Sequence, residues 1–203
     1  MSWLVTGGAG YIGSHVVRAF REAGIAPVVV DDLSSGVASF VPDDVPFLRA
    51  SILDTEAVTA FLREHDVEGV VHLAGFKYAG VSVTRPLHTY EQNVTGTVHL
   101  LQAMEAAGVE QMVFSSSAAT FGTPDVDLVT EQTPTAPESP YGESKLIGEW
   151  LLRDQAVATA GTLYVPGPVT RAGTNEVVIV ELEALTDATA RFVARPHLGH
   201  EVE

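Results

Sequence analysis

With 203 residues, 46% of them hydrophobic, the chain can bury one sizeable core and is not a disordered protein. Cysteine is absent, which excludes disulfides, thiolate metal ligands and cysteine catalysis and agrees with a cytoplasmic setting. A formal net charge of −15 argues against nucleic acid or anionic membranes as partners, and an anionic ligand would have to bind at local positive features such as helix N-termini.

In chain order, Trp3-Leu4-Val5-Thr6 reads as a strand that runs into GGAGYIG, followed by a helix from about Tyr11 to Ala23 with Gly24 as its stop. Val28-Val29-Val30 is a second strand ending at Asp31-Asp32, and Phe47-Leu48 is a weaker third. Asp54 is placed to cap a helix whose apolar face holds Val58, Phe61 and Leu62. Residues 69–73 form a fourth strand, Pro86 to Ala107 one long helix closed by Gly108, and residues 111–115 a fifth strand. A loop rich in Pro and Thr leads to a helix from about Tyr141 to Ala158, and Thr162 to Val165 is a candidate sixth strand. No apolar run approaches the ~18 residues of a membrane span. The opening MSWLVTGG lacks the basic region and cleavage site of a secretory signal.

Strands apolar on both faces, each followed by a helix, predict an α/β fold: a doubly wound parallel Rossmann sheet with helices on both faces. After residue 161 the pattern changes. Val177–Val180 and Arg191–Ala194 read as a short β-hairpin appendage, so the expected division is a dinucleotide-binding domain over 1–165 and a β-rich tail over 166–203.

Two constellations carry chemistry. Gly7, Gly10 and Gly13 lie between the first strand and first helix, where a tight turn lets backbone approach a pyrophosphate at the helix N-terminus. Asp31 closes the second strand, where a carboxylate holds ribose hydroxyls and repels a 2′-phosphate, favouring NAD over NADP. The plainer alternative is an ordinary βα turn with a solvated Asp31-Asp32 loop. The second constellation is Tyr141 and Lys145, one helical turn apart on one face, with Ser117 at the end of the fifth strand. A nearby ammonium favours the phenolate, so Tyr141 can serve as a base. Here the bland alternative is a surface helix with an exposed Lys. Seven His residues show no metal-ligand clustering, and no metal site is expected. His72, in a buried strand, reads as a hydrogen-bonded core residue.

Together these residues resemble the extended short-chain dehydrogenase/reductases. TGGAGYIG, VVHLAGFKYAGVSV, RPLHTYEQNVTGT, FSSSAATFG and SPYGESKLIGE, in this order over residues 1–160, are similar to the UDP-glucose (UDP-galactose) 4-epimerase family. The resemblance implies an NAD site formed by Gly7, Gly10, Tyr11, Ile12, Gly13, Asp31, Asp32, Ser51, Ile52, Lys77, Asn93, Tyr141 and Lys145. Lys77 would reach the cofactor's phosphates or ribose, and Asn93 would order the site. It also implies that Ser117, Tyr141 and Lys145 carry a transient oxidation at C4 of UDP-glucose or UDP-galactose, and a homodimer is compatible with it. The related nucleotide-sugar 4,6-dehydratases place an acidic pair after the catalytic hydroxyl residue. Ala118-Ala119 stand there instead.

Some positions depart from the family. Ser51 replaces a usual Asp, so one adenine contact is expected to be lost, and Phe121 replaces a usual Tyr. Pro166 stands where a substrate-binding Asn is usual, and nothing beyond it reads as an epimerase. The stretch GTLYVPGPVTRAGTNEVVIVELE instead resembles the closing strands of certain β-galactosidases. The expectation is therefore a fused chain with the reacting groups but weak or absent UDP-sugar binding and little turnover. The alternatives are an NAD-binding module, a non-functional fusion, or a divergent epimerase with a shortened end.

Overall fold

The computed structural model describes residues 2–126, 128–159 and 163–164. Six parallel strands lie in the order β3-β2-β1-β4-β5-β6, with β1 at Ser2–Thr6, β2 at Ala26–Val30, β3 at Phe47–Leu48, β4 at Val67–His72, β5 at Gln111–Phe114 and β6 at Leu163–Tyr164. The strand order reverses between β1 and β4, and the crevice outside the carboxyl ends of these two strands is where open α/β sheets bind ligands. The Rossmann expectation holds.

Side-chain alternation explains why both faces are covered. Leu4 lies in register with Val28 and Val70, and all three pack with Val58, Leu62, Leu100 and Met104. Those partners come from helix α2 (Thr55–Glu64) and helix α5 (Gly96–Ala107). Val5, in register with Val29 and Val71, points the other way and packs with Val16, Val17 and Phe20 of helix α1 (Tyr11–Glu22). Shifting a strand by one residue would exchange the two sets, so the apolar runs fix both faces at once. Asp54 caps α2 as expected, its carboxylate accepting from the Ala57 N–H at 3.1 Å.

The stretch expected as one helix from Pro86 to Ala107 is helical throughout but not uniform. An α-helical turn, α4 (Pro86–Tyr90), passes through a π-helical segment at Glu91–Thr95 into α5. Such wide turns insert one residue into the α-helical repeat and recur at functional sites. A short helix α3 (Ala79–Ser82) precedes it, in a stretch to which the sequence assigned no element. The last described helix, α6 (Pro140–Thr159), leads to β6 beside β5. The expected hairpin at Val177–Val180 and Arg191–Ala194, like the whole β-rich tail, lies outside the described residues.

Helix α6 approaches β5 at Gly148, where a β-carbon would stand 2.5 Å from Phe114 Cζ. Gly148→Ala would gain about 1 kcal/mol of helix propensity, yet overpacking a close contact typically costs ~1–3 kcal/mol. The expected net result is a Tm lowered by roughly 2–4 °C in thermal unfolding followed by circular dichroism. An increase would mean that the phenyl ring can move aside.

Candidate active site

The glycine loop is built by close backbone contacts. Gly7 has φ 71°, a left-handed conformation, and a β-carbon there would meet the Ala74 nitrogen at 2.8 Å. A β-carbon at Gly13 would lie 2.1 Å from the Gly7 carbonyl oxygen. The turn is closed by the Gly10 N–H donating to that same carbonyl at 3.0 Å. Gly10 is the N-cap of α1 and offers no side-chain cap, and no acidic residue sits in the first turn. The N–H groups and partial positive charge of this helix end therefore face outward without a side-chain partner. Tyr11 and Ile12, 73% and 42% exposed, flank the opening.

Asp31 is only 8% exposed at the end of β2. One carboxylate oxygen accepts from the Ala9 N–H at 3.1 Å and the other from the Leu33 N–H at 2.8 Å, which fixes the group beside the glycine loop. A carboxylate has about four acceptor positions, so both oxygens keep capacity for a ligand hydroxyl. Asp32 is exposed and accepts from the Ser34 N–H. Ser51 is occupied locally, its hydroxyl accepting from the Leu53 N–H at 3.2 Å. The Ile52 side chain lies in the core against Gly96, so only its backbone is available to a ligand.

The loop after β4 packs on the glycine loop. Asn93, buried in the π-helical segment, holds it through the Phe76 backbone, accepting from its N–H at 2.6 Å and donating to its carbonyl at 3.0 Å. The same amide donates to the Ser144 hydroxyl at 2.9 Å. Lys77 is exposed, with its ammonium 5.8 Å from the centre of the Tyr78 ring.

Lys145 is 7% exposed and reaches β5, donating to the Ser115 carbonyl at 2.8 Å with its ammonium 4.9 Å from the Phe114 ring centre. The Tyr141 N–H donates to the buried Ser82 hydroxyl at 3.1 Å, which anchors the first turn of α6 on α3. Ser117 caps a short 3₁₀ turn, its hydroxyl oxygen accepting from the Ala119 N–H at 3.1 Å. The structure thus brings Lys145 onto the end of β5, while no described hydrogen bond joins the Tyr141 hydroxyl to Ser117 or Lys145.

Comparison with known proteins bears on this arrangement. A sequence model of the NAD dependent epimerase/dehydratase family matches residues 3–194. The chain belongs to this family. Relatives within it include the UDP-glucose 4-epimerase of Azospirillum brasilense, 44% identical over 155 residues that make up 76% of this chain and 44% of that protein. The Bacillus subtilis UDP-glucose 4-epimerase is 44% identical over 161 residues, covering 76% of this chain and 48% of the relative. A crystal structure of the UDP-glucose 4-epimerase from Brucella ovis in complex with NAD superposes with TM-score 0.78 at 39% identity, over 80% of this chain and 50% of that one. The chain spans about half the length of the relatives it matches. The family match runs to residue 194, while the alignments to the UDP-glucose 4-epimerases of Azospirillum brasilense and Bacillus subtilis each cover 76% of the chain. The likeness of the C-terminal segment to a β-galactosidase finds no support.

In this epimerase/dehydratase family member, sequence reasoning missed the partners that hold the site. Glu149 is half-buried, and Ser116 donates to its carboxyl. Burial pushes that carboxyl above its usual range, while the Ser116 hydrogen bond pulls the other way. The signal was present: Tyr141, Lys145 and Glu149 repeat every four residues and share one helical face. Ser82 and Ser144 carried no such signal. Among the described residues no cluster of His, Cys, Asp and Glu could hold a metal ion.

Burial pushes the Lys145 ammonium down to about 8 from an ordinary 10.5. Between those values the unfolded chain binds more protons than the folded one, so stability rises with pH across this window. Below it the desolvation cost is present in full. Lys145→Met removes that cost while keeping the stem's packing. The variant is expected to unfold at a higher temperature than the unmodified chain at pH 7, with the gap narrowing by pH 10. A variant less stable at pH 7 would show that the bond to Ser115 outweighs desolvation.

Proposed function

We propose that this chain is the dinucleotide-binding and acid–base portion of a UDP-hexose 4-epimerase, with NAD as cofactor and UDP-glucose or UDP-galactose as substrate. The observation that carries the reading is the convergence of the glycine cradle, Asp31 and the Tyr141–Lys145 face of α6 at the carboxyl ends of the parallel strands. The cradle fits a pyrophosphate. A β-carbon at Gly7 or Gly13 would collide with the backbone that shapes it, and the helix end beside it lacks both a cap and an acid. Asp31 suits ribose hydroxyls and opposes a 2′-phosphate. In the proposed division, residues 1–165 form the NAD-binding domain and 166–203 a separate segment. The setting is the cytoplasm, which the cysteine-free composition supports.

When bound, the nicotinamide supplies a hydride acceptor and donor for C4 of the sugar. The protein's part is proton transfer and placement. Tyr141 takes the proton of the 4-hydroxyl, and Ser117, on the 3₁₀ turn after β5, bridges the two oxygens. The Lys145 ammonium, one turn along α6, favours the phenolate and is held in place by the Ser115 carbonyl. Asn93 keeps the β4 loop, and with it Lys77, beside the cofactor. Ala118 and Ala119 supply no acid for eliminating water, which supports epimerisation over dehydration.

Two measurements test the proposal. Fluorescence titration is expected to show NAD(H) binding tighter than NADP(H) by on the order of tenfold or more, the scale of one repulsive contact, with Asp31→Asn narrowing the gap. Equal or tighter NADP(H) binding would overturn the assignment of Asp31. A coupled assay is expected to show slow UDP-galactose conversion by this chain, and Tyr141→Phe to lower that rate by about 100-fold or more, the usual effect of losing a general acid–base group. An unchanged rate would remove Tyr141 from the chemistry. A 4-keto-6-deoxy product would point to the dehydratase reaction instead.

A further inference from the structure

His72 ends β4 at the centre of the sheet, in register with Thr6 on β1 and Phe114 on β5. It is 1% exposed, and its ring nitrogens both have partners: Nδ1 lies 2.7 Å from the Thr6 hydroxyl oxygen and Nε2 3.1 Å from that of Thr97. The direction of each bond follows from donor chemistry. The Thr97 hydroxyl donates to the Asn93 carbonyl at 2.6 Å, and a carbonyl only accepts. The single hydroxyl hydrogen of Thr97 is thereby used, so its oxygen accepts from His72 and Nε2 carries the proton. Burial, with a smaller contribution from the Lys145 ammonium, pushes the imidazole down to about 3 and keeps it neutral. Nδ1 is therefore bare and accepts from Thr6. The Thr6 oxygen in turn accepts from the Leu73 and Ala74 N–H groups, both at 3.2 Å.

The result is one directed chain of hydrogen bonds, from the backbone after β4 through Thr6, His72 and Thr97 to the Asn93 carbonyl. Its two ends are functional places. Thr6 is the residue before Gly7, whose close approach to Ala74 closes the glycine cradle. Asn93 grips Phe76 at the far end of the same loop and donates to Ser144, whose hydroxyl donates to the Tyr141 carbonyl at 2.7 Å. Helix α6, with Tyr141 and Lys145, is thus connected through a single buried ring to the strand that carries the glycine loop.

We propose that His72, fixed as its Nε2–H tautomer, is a positioning residue that couples the dinucleotide cradle to the helix bearing Tyr141 and Lys145. This rests on the reading of the cradle as a dinucleotide site. His72 touches neither cofactor nor substrate, and it acts by making the loop after β4 and the first turns of α6 one hydrogen-bonded unit. Disturbing the chain at Thr97, which lies on α5 away from the glycine loop, then weakens dinucleotide binding.

The experiment uses the full chain. Long-range ¹H–¹⁵N spectra of ¹⁵N-histidine-labelled protein are expected to show His72 as the neutral Nε2–H tautomer, unchanged from pH 5 to pH 8. An Nδ1–H tautomer, or titration in this range, overturns the inference without any variant. NAD(H) affinity is then compared in Thr97→Val, which keeps the side chain's shape and removes the hydroxyl, and Thr97→Ser, which keeps the hydroxyl. Loss of one buried hydrogen-bond link corresponds to on the order of fivefold to tenfold in Kd, and this loss is expected in Thr97→Val with recovery in Thr97→Ser. Unchanged affinity in Thr97→Val, or equal loss in both variants, overturns the coupling alone. Failure of the unmodified chain to bind NAD(H) overturns the dinucleotide reading and the coupling with it, while the tautomer result remains a separate observation.

Discussion

At the start of α1 the Gly13 α-carbon faces the Gly7 carbonyl so closely that a β-carbon would come within 2.1 Å of it. This crowding results from bringing a helix N-terminus directly over the end of the strand that feeds it. It keeps the first-turn N–H groups of α1 at the mouth of the crevice rather than out in solvent. The site depends on this arrangement, because the chain carries a formal charge of −15 and an anionic ligand needs a local source of positive potential. The aligned peptide dipoles of α1 supply it at the helix end itself, provided that no side chain intervenes.

A second set of contacts carries the proposed acid–base groups to the same crevice. Helix α6 meets the end of β5 through successive turns: Lys145 on the Ser115 carbonyl, Gly148 against the Phe114 ring, and Glu149 at the Ser116 hydroxyl. Residues on one helical face thus bind three consecutive residues of the strand end, and Ser117 follows immediately. Holding a buried ammonium there lowers its own protonation, so the proposed role of Lys145 is placed at a point where stability alone would favour an apolar side chain.

The sheet, the helix boundaries and the glycine cradle were legible because each rests on local pattern. Alternation placed Leu4 and Val5 on opposite faces, Asp54 announced its helix, and the spacing of Gly7, Gly10 and Gly13 announced the turn. The hydrogen-bond chain through His72 was not legible, because Thr6, His72, Thr97 and Ser144 are brought together by sheet pairing and helix packing across 138 positions of sequence. His72 read only as a polar core residue, which is correct and says nothing of what it joins. Glu149 was within reach of periodicity. The π-helical segment was not, since apolar spacing continues through it and its extra residue shows only in the backbone.

That extra residue has a consequence for how the sequence tolerates length change. One residue advances an α-helix by about 100°, and the wide turn at Glu91–Thr95 absorbs that advance, so α4 and α5 keep the faces a shorter, uniform helix would give them. Deleting one residue from this segment would return it to plain α-helix with Leu100 and Met104 still in the core. The wide turn that presents Asn93 to Phe76 and Ser144 would be lost, and with it the hold on the loop after β4. The helix would survive a deletion that the loop it supports would not.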